Sequence, residues 1–274
     1  MLAPGTFDGR TVLITGGGTG LGLECSRKFA TLGATVVCAS RSLEHHATLL
    51  GEAEENGWTV TSRAVDVREA KDVRELVAEI VDLHGSLDVL VNNAAGNFIR
   101  PSLKLAPKGW RTVIDIALNG VFYCSQAAGR VMAEAGFGRI VNIVAPYAET
   151  GMPGVAHSAS AKAGVLALTK TLAAEWAGLG IRVNAVSPGP FKSRGAAERL
   201  WPTEAMEDAV RESIPVKRFG HTDEVADAVL YLAAPDADFV NGCCLTIDGG
   251  WRLPTGLTGG LPADKVARRK DNDD

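Results

Sequence analysis

Five short apolar runs rich in β-branched residues recur along the chain: RTVLITG at 10–16, ATVVCAS at 34–40, LDVLVNNA at 87–94, GRIVNIVA at 138–145 and IRVNAVSP at 181–188. Longer segments of helical periodicity separate them. Strands this uniformly apolar must be covered on both faces, and crossover helices do that for strands running parallel. The expected fold is therefore α/β, a doubly wound parallel sheet (Rossmann-like) in a single domain over 1–274. Val73, Leu76, Val77, Ile80 and Val81 mark one face of an amphipathic helix near 69–84, and long helices are expected at about 108–135 and 157–178. A chain of 274 residues with 46% hydrophobic content can bury one core of this kind, and no repeat or low-complexity linker divides it.

Pro188, Gly189, Pro190, Gly195 and Pro202 give the composition of a loop where such a sheet leaves its ligand crevice. A substrate lid is expected at about 189–215 and a C-terminal extension at about 251–274. The formal charge of -4 argues against nucleic acid and for a small-molecule partner. Cys25, Cys38, Cys124, Cys243 and Cys244 lie in apolar runs without metal spacing, so reduced core thiols are expected and no metal. The first residues, MLAPGTFDGR, lack the pattern of a leader, and no stretch of eighteen apolar residues occurs. A cytoplasmic protein without membrane association is the expectation.

The first run ends in Thr15-Gly16-Gly17-Gly18-Thr19-Gly20-Leu21-Gly22 and leads straight into a helix beginning near Leu21. Glycines there allow a tight turn and let backbone N–H groups approach a pyrophosphate at the positive end of the helix dipole. Such a run is weak on its own; following a strand and opening a helix at the first βαβ unit, it points to a nucleotide. The second strand ends at Ser40-Arg41, where an acidic residue would hold the ribose of NAD. A guanidinium suits the 2′-phosphate of NADP(H) instead.

The spacing Gly16-x3-Gly20-x-Gly22, with Asp66-Val67, Asn92-Asn93-Ala94-Ala95-Gly96, Lys162, Pro188-Gly189 and Asp248-Gly249-Gly250, resembles the short-chain dehydrogenase/reductases over about residues 8–251. The resemblance implies that Gly16, Thr19, Gly20, Leu21 and Gly22 meet the phosphates and that Arg41 takes the 2′-phosphate. Asp66 and Val67 would line the adenine pocket, with Asn93 beside the ribose and Pro188-Gly189 also on the cofactor. Lys162 would hold the nicotinamide ribose. The family's usual chemistry uses a Tyr-x-x-x-Lys pair, a serine thirteen residues before the tyrosine and an asparagine on the preceding long helix. Here Ser158, Ala145 and Ala117 stand at those places. Ketone–alcohol interconversion lacks its phenolic acid.

The chain has three tyrosines. Tyr231, in AVLYLAA, reads as a core residue, and Tyr123, in GVFYCSQ, as packed between helices or at a subunit contact. Tyr147 falls just past the fifth strand, on the carboxyl edge where doubly wound sheets bind ligands, although an aromatic plug under a loop would also fit there. Asn93-Ala94-Ala95-Gly96-Asn97-Phe98, Tyr147-Ala148-Glu149-Thr150-Gly151 and Ser158-Ala159-Ser160-Ala161-Lys162-Ala163-Gly164 resemble the matching blocks of 2,4-dienoyl-CoA reductases. That resemblance implies that Tyr147 and Asn97 contact a thioester oxygen while Ser158 and Lys162 hold the cofactor. It further implies an acyl-CoA substrate, with Phe98 in the acyl pocket and Arg68 and Arg199 near the CoA phosphates. It departs at Ala106, where relatives carry a hydroxyl residue. A homotetramer is the expectation for the family. Two other readings stay open: a reductase of another activated alkene or carbonyl, and a catalytically silent NADP-binding subunit. His157, at a helix start, is expected to cap or pack at the surface.

Overall fold

The computed structural model describes residues 2–192 and 203–253. Its seven strands are β1 (Thr11–Thr15), β2 (Thr35–Ser40), β3 (Val60–Ala64), β4 (Val89–Asn92), β5 (Gly138–Ile143), β6 (Ile181–Pro188) and β7 (Cys244–Ile247). They form one sheet in the order β3-β2-β1-β4-β5-β6-β7, with every neighbouring pair parallel. Successive side chains of a strand point to opposite faces, and here both faces are covered. Val12 and Ile14 enter one core layer with Phe29 and Val229, whereas Leu13 between them enters the other with Ile80 and Met132.

The helices are α1 (Gly20–Thr31), α2 (Ala47–Asn56), α3 (Ala70–His84), α4 (Pro107–Ile114), α5 (Gly120–Ala135), α6 (Tyr147–Thr150), α7 (Ala156–Trp176), α8 (Glu204–Ser213) and α9 (Thr222–Ala233). In α3, Val73, Leu76, Val77 and Ile80 are buried as the periodicity requires, and Gly85 ends the helix in the left-handed region at φ 81°. The single helix expected at 108–135 is interrupted by a π-helical turn at Asp115–Asn119, where the Asn119 amide donates to the Asp115 carboxylate at 2.9 Å. Ala117 lies inside that turn. Gly120 follows it because the helix passes close to Val67: a Cβ there would lie 2.8 Å from Val67 Cγ2.

Two strands have no counterpart among the five apolar runs. β3 is an edge strand whose sequence, VTSRA, is half-exposed, and β7, CLTI, is also only half-buried, so neither needs a continuous apolar run. Tyr231 departs from expectation too. It projects from α9 with 48% of its surface exposed, because Val225, Val229 and Leu232 already fill the inward face of that helix. Tyr123 packs partly buried against the core layer of α3 and α5.

Of the expected lid, residues 193–202 lie outside the described residues, Arg199 among them; of the C-terminal extension, 254–274 do. Among the described residues no helix is long and apolar enough to cross a membrane, and no cluster of His, Cys, Asp or Glu is arranged for a metal. All five cysteines are free; Cys25, Cys38 and Cys124 are buried and Cys243 and Cys244 half-buried.

Candidate active site

The strand order reverses between β1 and β4, so the loops leaving their carboxyl ends diverge and open a crevice. A cavity of about 1090 Å³ occupies it, lined by Gly16, Gly18, Thr19 and Gly20 on one wall and by Arg41, Asp66, Val67 and Asn93 on others. Gly16 sits at φ +66°, and a Cβ on Gly18 would collide with the His45 carbonyl. Thr19 precedes α1 without a side-chain cap, which leaves the first N–H groups of that twelve-residue helix for an anion. The Leu21 side chain is in the core. Gly22 lies against the Gly16 carbonyl with no room for a side chain, so it closes the loop onto the helix.

The Asn93 amide donates to the carbonyls of Thr15 (3.0 Å) and Gly16 (3.1 Å) and so fastens the glycine loop to β4. Arg41 stands exposed at the end of β2 in the cavity wall, where the sequence offers no acidic residue in its place, and its charge helps hold Asp66 below the ordinary carboxylate range. Asp66 is chelated by Arg68, Nε to Oδ1 at 2.9 Å and Nη2 to Oδ2 at 2.5 Å, and the guanidinium holds the carboxyl below its ordinary range. Arg68 is therefore tied to the Asp66 wall of the crevice. Pro188 ends β6 and Gly189 packs where a Cβ would lie 2.6 Å from Asp248 Cα, both outside the lining of this cavity. His46, unremarkable in the sequence, is buried beneath the wall, its Nε2 2.8 Å from Ser40 Oγ and its Nδ1 against Ser62 Oγ. A large pocket with a glycine cradle, open N–H groups and a cation at β2 fits a dinucleotide.

A second cluster lies beyond β5. Tyr147 opens α6, and its phenol is 3.1 Å from Ser158 Oγ, with the Asn97 side chain close enough to influence its ionisation. Burial raises the phenol pKa, and the polar groups of Ser158 and Asn97 offset part of that rise. The Asn97 Oδ1 accepts the Phe98 N–H at 2.9 Å, which leaves its NH2 as the end that donates. Ser158 and Lys162 are buried one turn apart on α7. Lys162 Nζ donates to the Ile143 carbonyl at 2.6 Å, and burial lowers its pKa to about 8. Phe98, more than a third exposed, packs edge-to-face on His157. His157 is completely buried, not at the surface.

Beside Tyr147 a smaller cavity of about 290 Å³ is walled by Pro146, Thr150, Gly151, Met152, Trp251 and Arg252. Arg252 pairs with Glu149 at 2.5 Å, and the Trp251 indole N–H donates to Ser213 Oγ at 3.0 Å. Sequence reasoning passed over these residues, since Trp251 and Arg252 lie a hundred positions from Tyr147 and carry no motif.

The sequence model described as Enoyl-(Acyl carrier protein) reductase matches residues 16–252. The chain belongs to the short-chain dehydrogenase/reductase family. A Bacillus subtilis (strain 168) protein named as a probable 2,4-dienoyl-CoA reductase, (2E)-enoyl-CoA-producing, is 43% identical over 248 residues, 89% of this chain and 98% of its own. A short-chain dehydrogenase of Bacillus anthracis superposes with a TM-score of 0.82 at 42% identity, covering 90% of this chain and 98% of the other. A gluconate 5-dehydrogenase of Burkholderia cenocepacia, solved with NADP and tartrate, gives a TM-score of 0.85 at 36% identity, covering 89% and 96%. Within the short-chain dehydrogenase/reductases this chain keeps the nucleotide crevice and the lysine. It carries alanines at 117 and 145 and a serine at 158, and the phenol near that serine comes from Tyr147.

Proposed function

We propose that the chain reduces 2,4-dienoyl-CoA thioesters to 3-enoyl-CoA with NADPH, a step of unsaturated fatty acid β-oxidation. The observation that carries this reading is the meeting of Tyr147, Asn97 and Ser158 beside a buried Lys162. The cofactor supplies a hydride when bound. Arg41, exposed at the end of β2, would take the 2′-phosphate of NADPH. Ser158 and Lys162 would hold its nicotinamide end.

Hydride arriving at the δ-carbon sends an electron pair along the diene to the thioester oxygen, giving a dienolate. Tyr147 OH and the Asn97 NH2 donate to that oxygen, and in a buried site such donors need no reorganisation when the charge develops. Protonation at the α-carbon, with solvent as the source, yields the 3-enoyl thioester. Protonation at the γ-carbon would give the (2E) product that the Bacillus subtilis relative's name carries. Phe98 would line the acyl pocket, Arg199 would meet the CoA phosphates, and the lid would include α8. A homotetramer in the cytoplasm belongs to the same reading.

The test is NADPH oxidation with a trans-2,trans-4-dienoyl-CoA, beside Tyr147→Phe and a 3-oxoacyl-CoA control, with the product's double bond located by NMR. Dienoyl turnover that collapses in the variant is the expected outcome. Turnover of the 3-oxoacyl-CoA alone, or saturable NADPH binding with no turnover of either, overturns the reading.

A further inference from the structure

His157 is wholly buried as the second residue of α7, and its Nε2 meets no hydrogen-bond partner. An unpaired ring nitrogen in such a place is a cost that an apolar side chain of similar size would avoid, so the imidazole must be kept for its other contacts. There are two. Nδ1 accepts the Ser158 N–H at 2.7 Å, one of the first-turn donors that a helix cannot satisfy itself and that Val155, at the N-cap, has no side-chain oxygen to meet. This bond puts the neutral ring's proton on Nε2 and anchors the turn whose Ser158 Oγ reaches Tyr147 OH at 3.1 Å. The ring also meets Phe98 edge-to-face, centroids 4.4 Å apart at 76°. Phe98 is backed by Gly109, where a Cβ would lie 3.1 Å from Phe98 Cζ, and its own N–H holds the Asn97 Oδ1 at 2.9 Å.

One ring thus touches the support of both electrophilic donors, which come from segments far apart in sequence. We propose that His157 is the positioning residue of the pair, tying the Asn97–Phe98 loop to the Ser158 turn so that amide and phenol converge on one oxygen. This rests on the reading of Tyr147 and Asn97 given above. The imidazole moves no proton; its role is to fix the separation and direction of two donors, and misplacement of such groups by about 1 Å costs on the order of a hundredfold in rate.

Two variants divide the contacts. His157→Asn keeps an acceptor near the Nδ1 position and gives up the ring; His157→Phe keeps a ring for Phe98 and gives up the acceptor. Each is expected to lower kcat on a dienoyl-CoA by about tenfold to a hundredfold, with a much smaller effect on NADPH Kd, read by fluorescence, because the main nucleotide cavity lies elsewhere. A second readout does not depend on the substrate. In a Tyr123→Phe/Tyr231→Phe background Tyr147 is the sole tyrosine, and its ionisation can be followed by ultraviolet difference titration. The polar groups of Ser158 and Asn97 pull the phenol pKa down, so loosening them should move the midpoint to higher pH in both variants. An unmoved midpoint in folded variants overturns the proposal, as does a kcat within twofold of the parent. If His157→Phe does not fold, His157→Asn decides alone. If the parent enzyme itself leaves dienoyl-CoA untouched, the substrate reading falls while the titration still decides on His157.

Discussion

The two ends of the crevice solve opposite electrostatic problems. On the β1–β3 side, charges stay in contact with water: Arg41 is exposed, Arg68 chelates Asp66 at the surface, and the anion site itself is made of backbone N–H groups and glycine contacts. Beyond β5 the cluster is less exposed and its hydrogen-bonding groups are mostly neutral: Tyr147 on Ser158 and Asn97 fixed by the Phe98 N–H are half-buried, and Ser158 and the Lys162 amine are buried. A ligand that brings its own phosphates needs positive potential, which survives partial solvation. A charge that appears only during reaction needs donors already in place and shielded from water, where each hydrogen bond counts for more. Changes on the first side should therefore alter binding, and changes at Tyr147 and Asn97 on the second should alter turnover.

The sharpest way to break this division is to remove both donors. Tyr147→Phe and Asn97→Ala should each lower kcat on dienoyl-CoA by about 10²–10³. If both donate to one oxygen as proposed, the double variant should fall well short of the product of the two. NADPH Kd should stay within about twofold throughout, since neither residue lines the nucleotide cavity. Fully multiplicative losses in steady-state kinetics would mean the two act at different atoms.

Next in size is Lys162. Burial lowers its pKa from 10.5 to about 8, so between these values the unfolded chain binds the proton that the folded chain has released. Folding stability from this group is then complete above pH 10.5 and is lost as pH falls towards 8. The linkage amounts to about 3 kcal/mol across that window. Urea midpoints at pH 8 and pH 10 should rise with pH in the native protein relative to Lys162→Met. Parallel profiles for the two proteins would show that the amine is hydrated.

The same asymmetry governs what the sequence reveals. The glycine run, Asp66 and Asn93 are legible because a phosphate-binding turn imposes residue types at fixed spacing, and all of them line or shape the cavity. Strands buried on both faces are legible as apolar runs, whereas β3 and β7, half-exposed at the two sheet edges, are not. Tyr147 could be singled out from its place at a strand end. What lies behind it could not: His157 is distinguished by the burial of its ring and its contact with Phe98, and both arise only when α7 packs against the loop after β4. Trp251 and Arg252 reach the Tyr147 cavity by the same kind of long-range return. Tyr231 shows the converse error, since a helix turned inward on three sides of its apolar pattern still leaves one aromatic outside.

On the nucleotide side the largest single effect should come from Arg41. A charge-assisted hydrogen bond to a phosphate contributes about 1.5–3 kcal/mol, so Arg41→Ala should raise the KM for NADPH roughly tenfold to a hundredfold with kcat little changed. The KM for NADH, which lacks the 2′-phosphate, should not move. Equal losses with both cofactors would assign Arg41 to the fold of β2 and leave NADPH selection to other groups.

The smallest effect expected is the one that best separates the two ends. Arg68 is a candidate for the CoA phosphates on its position after Asp66-Val67, and its guanidinium is paired with Asp66 in the cavity wall. The pair is exposed, and exposed pairs contribute about 0.2–1 kcal/mol. Arg68→Ala should therefore raise the KM for NADPH by no more than about fivefold, through a carboxylate left free to move and to repel the nucleotide. The KM for dienoyl-CoA should be unchanged. If the thioester KM rises instead while that of NADPH holds, Arg68 must leave Asp66 when CoA arrives, and the boundary between the two sides runs through this ion pair.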